Sequence, residues 1–447
     1  MKIFDLIGIG FGPANLALAI AMQEQAEATI SAPLSSLFLE AKTKFAWHPG
    51  MLLDNMSIQV SFVKDLATLR NPQSYFTFLN YLKNKGRLDE FINLRNFYPT
   101  RLEINDYFSW AAKHFENLVS YDRKVIELQP LNTNPKEKEE VNAIKVITQN
   151  LRSGQTESYL ASNLVIATGG KPKIPSEVEV NNPQNSNIFH SSEFLHRCQK
   201  YENLAFPYRF IVVGSGQSAA EIFYYLATHY PNAQVIATLR SLGYKPMNDS
   251  SFVNEIFFPK MVDLFYDCEP KNRERLLKEY HDTNYSVVAP DLIDSIYKLM
   301  YAQKIRGDNR LQILPSLHLV SAVETEGVVR ANFANTIEET RTSLESDALI
   351  LATGYDHSNR DPLLSPLSNY LVLSTADGYD ISRNYCLKTV SEFTPKIFLQ
   401  GLCENTHGLS DTLLSLLPIR VSEILEELLE TPVRDHSSNG QLLTTNS

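Results

Sequence analysis

Residues 3–15 are IFDLIGIGFGPAN, an apolar run that ends in glycines at alternate positions. The helix-forming residues 14–22 follow it, and this order predicts a buried parallel strand, a tight turn and a helix. The glycines let the backbone approach a pyrophosphate closely, and the helix N-terminus offers N–H donors to it. Pro13 replaces the third glycine of the dinucleotide motif and suits the first turn of a helix. The predicted cofactor-binding residues are Gly8, Gly10, Gly12 and Pro13.

An acidic residue follows the second predicted strand. Residues 36–39, SLFL, form a short apolar run after the helix, and Glu40 comes directly after that run. A carboxylate at this point accepts hydrogen bonds from the ribose of a bound dinucleotide. Strand, glycine turn, helix and acid occur in the required order, so a mere tight turn is the weaker interpretation.

A second glycine motif lies about 200 residues further along the chain, where GSGQSAAE at 214–221 follows the apolar run 210–213. The next predicted strand, 234–239, is followed by Arg240 rather than by an acid. An acid binds the free 2′-hydroxyl of NAD, whereas an arginine favours the 2′-phosphate of NADPH. A solvated surface arginine is the alternative interpretation. The predicted cofactor-binding residues are Gly214, Gly216, Gln217, Ser218, Arg240 and, as a second cation, Lys245.

Two dinucleotide sites on one chain indicate a flavoprotein that binds FAD and is reduced by NADPH. Eight of the 18 glycines lie in four clusters, each after an apolar run typical of a buried parallel strand. We predict an α/β fold with two Rossmann-like dinucleotide-binding domains, one inserted into the other, and a smaller, mostly helical substrate-binding region. The predicted boundaries are 1–172 and 346–430 for the FAD domain, 205–345 for the NADPH domain, about 250–305 for the helical region and 431–447 for a flexible tail. Residues 132–140 are predicted to form a hairpin tip.

Composition excludes several other classes. The 41 basic and 51 acidic side chains give a net charge of −10, which argues against nucleic acid as a partner. The four cysteines are far apart, which removes support for a dithiol reductase or a metal site. The N-terminus is unlike a signal peptide, and no apolar stretch approaches 18 residues. We expect a cytoplasmic protein without a membrane span; a homo-oligomer is compatible with the sequence.

Six further segments resemble the flavin-dependent N-hydroxylating monooxygenases that act on ornithine or lysine in siderophore biosynthesis. The resemblance extends from residue 5 to about 428 and is closer to the ornithine branch, because the segments around Asn254 and Asn284 match that branch almost residue for residue. The six segments are FAWHPGML at 45–52, QVSFVKDL at 59–66, TFLNYL at 77–82, FVNEIF at 252–257, TNYSVV at 283–288 and THGLSD at 406–411.

The resemblance implies roles for individual residues. Those implied to lie around the isoalloxazine are Trp47, His48, Gln59 and Leu413, with Arg101 at the flavin or nicotinamide end. Those implied to bind the substrate are Lys64, Asn254, Asn284 and Ser410. Among all of these, the catalytic residues are expected to be Asn284, Gln59 and Arg101. The segment GLCEN at 401–405 varies within the family and leaves the substrate open.

Several of these residues have plainer interpretations. A buried cation at Lys64 needs an anion, which is either a substrate carboxylate or a structural partner such as Asp65 or Glu103. Asn254 and Asn284 are alternatively helix caps. His48 is alternatively a packed histidine.

The implied reaction is N-hydroxylation of the terminal primary amine of a small substrate by NADPH and O2, through a C4a-hydroperoxyflavin. L-ornithine is the first expectation, and putrescine, cadaverine, histamine or L-lysine are alternatives. A carbonyl-oxygenating flavin monooxygenase is a second class, but FHSSE at 189–193 lacks the glycine and tryptophan of its linker motif. A non-catalytic flavin-binding redox protein is the third, and it does not need so complete a substrate pocket.

Overall fold

The structure, a computed structural model, describes residues 2–133, 140–178, 186–359, 361–374 and 378–430. Its strands are β1 (Ile3–Ile9), β2 (Ser36–Leu39), β3 (Val119–Ser120), β4 (Arg123–Leu131), β5 (Ala143–Asn150), β6 (Thr156–Ile166), β7 (Lys171–Pro172), β8 (Ile188–His190), β9 (Arg209–Val213), β10 (Gln234–Thr238), β11 (Leu311–Leu314), β12 (Leu317–Thr325), β13 (Val328–Asn335), β14 (Arg341–Ser346), β15 (Ala348–Leu351), β16 (Tyr355–Asp356) and β17 (Ile397–Leu399). Its α-helices are α1 (Pro13–Thr29), α2 (Phe78–Asn84), α3 (Leu88–Leu94), α4 (Arg101–Ala112), α5 (Phe194–Cys198), α6 (Gln217–His229), α7 (Pro259–Asp267), α8 (Pro270–Glu279), α9 (Pro290–Arg306), α10 (Glu404–His407) and α11 (Leu417–Leu429).

The first glycine turn joins the middle of a seven-stranded sheet to helix α1. The strand order is β3-β2-β1-β6-β5-β4, and β17 pairs with the carboxyl end of β6. Strands β1, β2, β3, β6 and β17 are parallel, whereas β4 and β5 form an antiparallel hairpin beside β6. Helices α1, α4 and α11 share the hydrophobic core of this sheet. The connection between β4 and β5 is the predicted hairpin tip, of which 134–139 lie outside the described residues.

The second glycine turn joins β9 to α6 in a separate five-stranded sheet of order β11-β10-β9-β15-β8, in which every pair is parallel. An antiparallel meander, β12-β13-β14, packs on one face of this sheet and shares a hydrophobic cluster with it. Helices α6 and α9 contribute to a cluster with the same sheet. Two mainly parallel sheets with covering helices form the predicted α/β fold with two Rossmann-like domains.

The domain boundaries differ from the expected ones at two strands. Strand β15 pairs with β9 and β8 in the second sheet, through Leu349 with Ile211 and with Ile188. The boundaries drawn at 205 and 346 place both β8 and β15 outside the NADPH domain. An apolar run is equally able to join either sheet, so only the pairing with β9 decides where β15 belongs. The chain passes between the sheets at β7 and β16, which pair antiparallel.

The helical region expected at about 250–305 is present. It contains a 3-10 turn, Val253–Phe257, and helices α7, α8 and α9. The Tyr266 hydroxyl on α7 donates to the Ile381 carbonyl at 3.1 Å, which ties the helical region to the segment that precedes β17. None of the helices in the described ranges is long and apolar enough to cross a membrane. The expected tail, 431–447, lies outside the described residues.

Candidate active site

The first glycine turn forms a cradle at the N-terminus of α1. Gly10 has φ 84°, and a Cβ there would lie 2.7 Å from the Ala167 carbonyl oxygen. Gly12 precedes the first helical residue, Pro13, and a Cβ at Gly12 would meet no heavy atom within 4 Å. The turn therefore needs a glycine at position 10 and leaves space at position 12 beside the first N–H groups of the helix. This geometry fits the pyrophosphate of FAD.

The Glu40 carboxylate reaches back to this turn. Its Oε2 accepts a hydrogen bond from the Phe11 N–H at 2.7 Å, and its Oε1 accepts one from the Lys42 N–H at 2.9 Å. The side chain is buried. The Lys42 ammonium also donates to Oε1 at 3.4 Å. A carboxylate has about four acceptor positions, so these three bonds leave room for a ribose hydroxyl. The role of Glu40 in binding ribose stays a prediction.

The second glycine turn is equally constrained. Gly214 has φ 141°, and a Cβ there would lie 2.3 Å from the Ala352 carbonyl oxygen. Gly216 precedes α6, whose first residues are Gln217 and Ser218. A Cβ at Gly216 would lie 3.6 Å from the Ser286 Cα, so the TNYSVV segment packs directly on this turn.

Arg240 is exposed at the carboxyl end of β10. Within the described ranges it forms no ion pair, whereas the Lys245 ammonium lies 3.1 Å from Asp282. A free guanidinium beside the second glycine turn is available for a phosphate. Lys245 would have to exchange or share its carboxylate partner in order to act as the second cation. Both roles stay predictions.

A hydrogen-bond network links the two sheets at the predicted flavin–nicotinamide end. Gln59 Nε2 donates to Gln217 Oε1 at 2.9 Å, and Gln217 Nε2 donates to Glu221 Oε1 at 2.9 Å. Arg101 Nη2 donates to the same Glu221 oxygen at 3.1 Å. The structure therefore brings together Gln59, Arg101 and Gln217, which lie far apart along the chain.

His48 and Trp47 lie close to this network. Desolvation of the ring by neighbouring groups, and then the positive charge of Arg101, lower the pKa of His48 to about 4, so its ring is neutral at physiological pH. The ring centroid lies 5.0 Å from that of Trp47 and 5.9 Å from that of Tyr355. His48 is nevertheless exposed, which does not support the alternative interpretation of a packed histidine. Its position beside Arg101 is compatible with the predicted flavin contact.

Lys64 is half-buried and has no carboxylate within 4 Å among the residues that the structure describes. Asp65 instead accepts hydrogen bonds from the backbone around it, including one from Phe78 N–H at 2.7 Å. Glu103 pairs with Arg87 at 3.5 Å. Both proposed structural partners are therefore engaged elsewhere. Burial lowers the pKa of Lys64, and its ammonium lies 5.9 Å from the Phe257 ring centroid.

The segments that carry the other predicted substrate residues share one hydrophobic cluster. Ile256, Phe257 and Leu409 are buried in it, and Tyr285 and Leu413 pack against them. These five residues neighbour Asn254, Asn284 and Ser410 along the chain. A cavity of about 480 Å³ opens beside the cluster; its lining includes Leu277, His281, Glu404 and Leu409.

Neither asparagine side chain caps an α-helix. Asn254 lies inside the turn Val253–Phe257, and its Nδ2 donates to the Asp249 carbonyl at 2.8 Å. Asn284 ends the turn His281–Thr283 through its backbone N–H. The capping interpretation is therefore wrong for Asn254, whereas Asn284 is a cap residue of a 3-10 turn through its backbone only. Their predicted contacts with the substrate stay predictions.

Buried polar residues that sequence reasoning missed support the site. Arg420 Nη1 donates to Asp411 Oδ1 at 2.9 Å, and Arg420 Nε donates to Gln400 Oε1 at 3.3 Å. Gln400 in turn donates to Asn15 at 3.1 Å, next to the first glycine turn. The signal for Arg420 was present in the sequence: it lies on the apolar face of α11 between Leu417 and Ile424, where a charge needs a partner.

A second missed pair lies at the cluster itself. The Tyr285 hydroxyl donates to Glu404 and lies 3.1 Å from the Thr412 hydroxyl. Burial raises the pKa of Glu404 and is the largest of its causes. Glu404 belongs to the segment 401–405, which sequence reasoning had identified only as variable.

Comparisons with known proteins give consistent relatives. The model of the family described as L-lysine 6-monooxygenase/L-ornithine 5-monooxygenase matches residues 2–357. The L-ornithine N(5)-monooxygenase of Pseudomonas aeruginosa is 40% identical over 433 residues, covering 96% of this chain and 94% of that protein. The solved ornithine hydroxylase of P. aeruginosa has a TM-score of 0.88 at 40% identity, covering 96% of this chain and 99% of that one. An ornithine N-hydroxylase of Kutzneria sp. 744, solved with reduced FAD, NADP⁺ and L-ornithine, has a TM-score of 0.88 at 36% identity and the same coverage.

The chain combines the two glycine turns with the hydrogen-bond network around Gln217 and Glu221, and the similar structures share its fold. Together these features define a flavin-dependent N-hydroxylating monooxygenase. The chain belongs to the L-lysine 6-monooxygenase/L-ornithine 5-monooxygenase family, whose model matches most of its length. Of the competing classes, the carbonyl-oxygenating monooxygenase and the non-catalytic flavoprotein are not supported by these relatives.

Proposed function

We propose that the substrate is L-ornithine and that the product is its N5-hydroxylated form, made for siderophore biosynthesis. The observation that carries this proposal is Lys64, a half-buried ammonium without a carboxylate partner in the described part of the chain. A desolvated cation is stabilised by an anion, and the α-carboxylate of an amino acid supplies one. The relatives named as ornithine enzymes support the same substrate.

The cofactors are FAD and NADPH. Reduced FAD, when bound, would activate O2, one oxygen atom of which is transferred to the amine while the other leaves as water. The glycine turns at Gly10 and Gly214 would hold the two dinucleotides. Gln59 and Arg101 contact Gln217 and Glu221 on the helix of the second glycine turn. The partly buried aromatic side chains of Trp47 and Tyr355 contact His48 and reduce the access of water to this region.

The amine must be neutral to act as a nucleophile, although a free alkylamine has a pKa of about 10.4. Desolvation beside the apolar cluster of Phe257 and Leu409 favours the neutral form. We propose that the Asn284 side-chain oxygen accepts a hydrogen bond from this amine and orients it. Lys64 binds the opposite end of the substrate.

The alternative substrates differ from ornithine either by lacking the carboxylate or in the length of the chain. Putrescine, cadaverine and histamine lack the carboxylate that Lys64 would bind, and L-lysine is one methylene longer than ornithine. Lys64 therefore favours an amino acid over a diamine. The choice between ornithine and lysine depends on the distance between the carboxylate and amine sites.

The test is a panel of ornithine, lysine, putrescine, cadaverine and histamine, scored by the hydroxylamine formed. NADPH consumption is a poor readout because oxygen can be reduced without hydroxylation of a misplaced amine. We expect ornithine to give the highest kcat/KM for product. Efficient hydroxylation of a diamine or histamine, with ornithine unreacted, would reject the proposal.

We also propose that the enzyme acts in the cytoplasm, where NADPH and free amino acids are available. Cell fractionation with an antibody against the chain tests this location. The homo-oligomer that the sequence allows stays a prediction, and light scattering of the purified holoenzyme measures it.

A further inference from the structure

Glu221 is a fully buried carboxylate on α6 that pairs with Arg101 of α4. Sequence reasoning assigned no role to it. It lies on the first turns of α6, four residues after Gln217, with none of its side chain exposed. Its Oε1 accepts hydrogen bonds from Arg101 Nε at 3.3 Å, Arg101 Nη2 at 3.1 Å and Gln217 Nε2 at 2.9 Å. Its Oε2 is enclosed and has no hydrogen-bond partner within the described residues.

The charge of this carboxylate is therefore compensated through one oxygen, by one arginine. Arg101 is the first residue of α4, which packs in the core of the first sheet, whereas Glu221 belongs to the helix of the second glycine turn. A buried ion pair contributes little net stability but is costly to break, because the remaining charge is left in an apolar surrounding. Such a pair fixes the relative placement of the two elements that carry it.

Gln217 extends the same contact to two further segments. Its Oε1 accepts from Gln59 Nε2 at 2.9 Å and from the Ala289 N–H at 2.8 Å. The Glu221 carboxylate, by accepting from Gln217 Nε2, fixes which way this amide points. Gln59 and Arg101 therefore both depend on Glu221 for their orientation toward α6.

We infer that Glu221 is a positioning residue for the reduction of FAD by NADPH. It holds Arg101 directly, and Gln59 through Gln217, so that the flavin-side residues stay aligned with the helix of the second dinucleotide turn. This inference rests on the proposed function only for the identity of the two cofactors, and no amine takes part in its test.

The variant Glu221→Gln removes the charge at nearly constant volume. Loss of a hydrogen bond to a charged group predicts about a tenfold or greater fall in the limiting rate of flavin reduction at saturating NADPH, measured anaerobically without amine. NADP⁺ binding, followed by the change in flavin absorbance, should also weaken, while the FAD content per chain stays at the wild-type value. A purely structural role would lower FAD content or the melting temperature and leave the limiting rate of the intact holoenzyme unchanged.

The matched control is Asp347→Asn, which removes a carboxylate that pairs with Arg209 at 3.1 Å at the opposite end of the second sheet. This control should keep the wild-type limiting rate. A double variant with Arg101→Ala tests the route. In the Arg101→Ala background Glu221→Gln should cause only a fraction of its loss in the wild-type background, because only the contact through Gln217 remains, and fully multiplicative losses would reject the route.

If Glu221→Gln does not fold, Glu221→Asp retains the charge and shortens its reach by one methylene. We expect a smaller fall in the same limiting rate. Wild-type flavin reduction and NADP⁺ affinity in whichever variant folds would overturn the inference. A failed ornithine assay would leave this measurement unaffected, because the reductive reaction is studied without substrate.

Discussion

At the scale of single residues, the site depends on charged side chains whose surroundings differ sharply. Arg240 is exposed and free in the described ranges, Lys64 is half-buried without an anion, and Arg420 is buried on Asp411. The first two are available for ligands, whereas the third is satisfied within the protein. The same residue types therefore have opposite roles, which burial and partners decide.

Lys64→Ala should lower kcat/KM for ornithine hydroxylation by about 10- to 150-fold. The substrate carboxylate would lose a charge-assisted hydrogen bond worth about 1.5–3 kcal/mol and remain unpaired in a desolvated pocket. Flavin reduction by NADPH should change far less, because it does not involve this side chain. The control is Lys260→Ala, whose exposed ammonium pairs with Glu255 at 3.7 Å. An equal effect of both variants on hydroxylation would show that Lys64 has no special role.

Arg240→Ala should reduce kcat/KM for NADPH by about 10- to 150-fold and have little effect on NADH, because only NADPH carries the 2′-phosphate. The measurement is steady-state oxidation of each cofactor by the same holoenzyme preparation. Arg341→Ala, at an exposed arginine that begins β14, is the control. Equal losses with NADPH and NADH would contradict the assignment of Arg240 to the phosphate.

At the scale of elements, each dinucleotide site depends on one strand–turn–helix unit. Gly10 and Gly214 combine a positive φ with a backbone carbonyl in the space where a Cβ would lie. Any side chain there must both strain the turn and displace the neighbouring strand end. The two units belong to different sheets, so a defect in one should leave the other intact.

Gly10→Ala should therefore yield a protein that purifies with little FAD. Gly214→Ala should retain FAD but lose NADPH-dependent flavin reduction, while dithionite still reduces the flavin. The expected contrast is read from flavin absorbance before and after each reductant. Gly243→Ala is the matched control, because a Cβ there meets no heavy atom within 4 Å. Loss of FAD in both glycine-turn variants would mean that the two sites are not independent.

At the scale of the whole molecule, buried neutral histidines make stability depend on pH. Burial is the main cause that lowers the pKa of His407 to about 4, and burial also lowers the pKa of His190. His407 Nε2 donates to the Arg383 carbonyl at 3.1 Å, and its ring stacks on Tyr385 with centroids 4.1 Å apart. In the unfolded chain these histidines take up protons near their ordinary pKa of about 6.5.

Between about pH 4 and pH 6.5 the unfolded chain therefore binds more protons than the folded one, so the free energy of unfolding rises with pH and levels off above that range. The melting temperature of the holoenzyme should fall as the pH is lowered from 7 to 5. His407→Gln removes one of these groups and should flatten the profile. His318→Gln, at an exposed position on β12, should leave the profile unchanged. A wild-type melting temperature independent of pH in this interval would contradict the argument.

The sequence by itself determined the two dinucleotide turns and the fold class. Those features rest on local requirements: a continuous apolar run, glycines where φ is positive and a helix that follows at once. The separated substrate segments were identified through their resemblance to known enzymes, because chain order alone does not show that residues 64, 254, 284 and 410 belong to one region.

The tertiary structure alone decided which strands and which charged side chains pair with each other. It placed β15 beside β9 and paired Arg101 with Glu221 and Arg420 with Asp411. It left Lys64 without a carboxylate partner in the described ranges. An apolar strand can pair in either sheet, and a buried charged side chain can form an ion pair with any opposite charge within reach. Distances across the fold, which depend on how both sheets and the helical region pack, select one of these options.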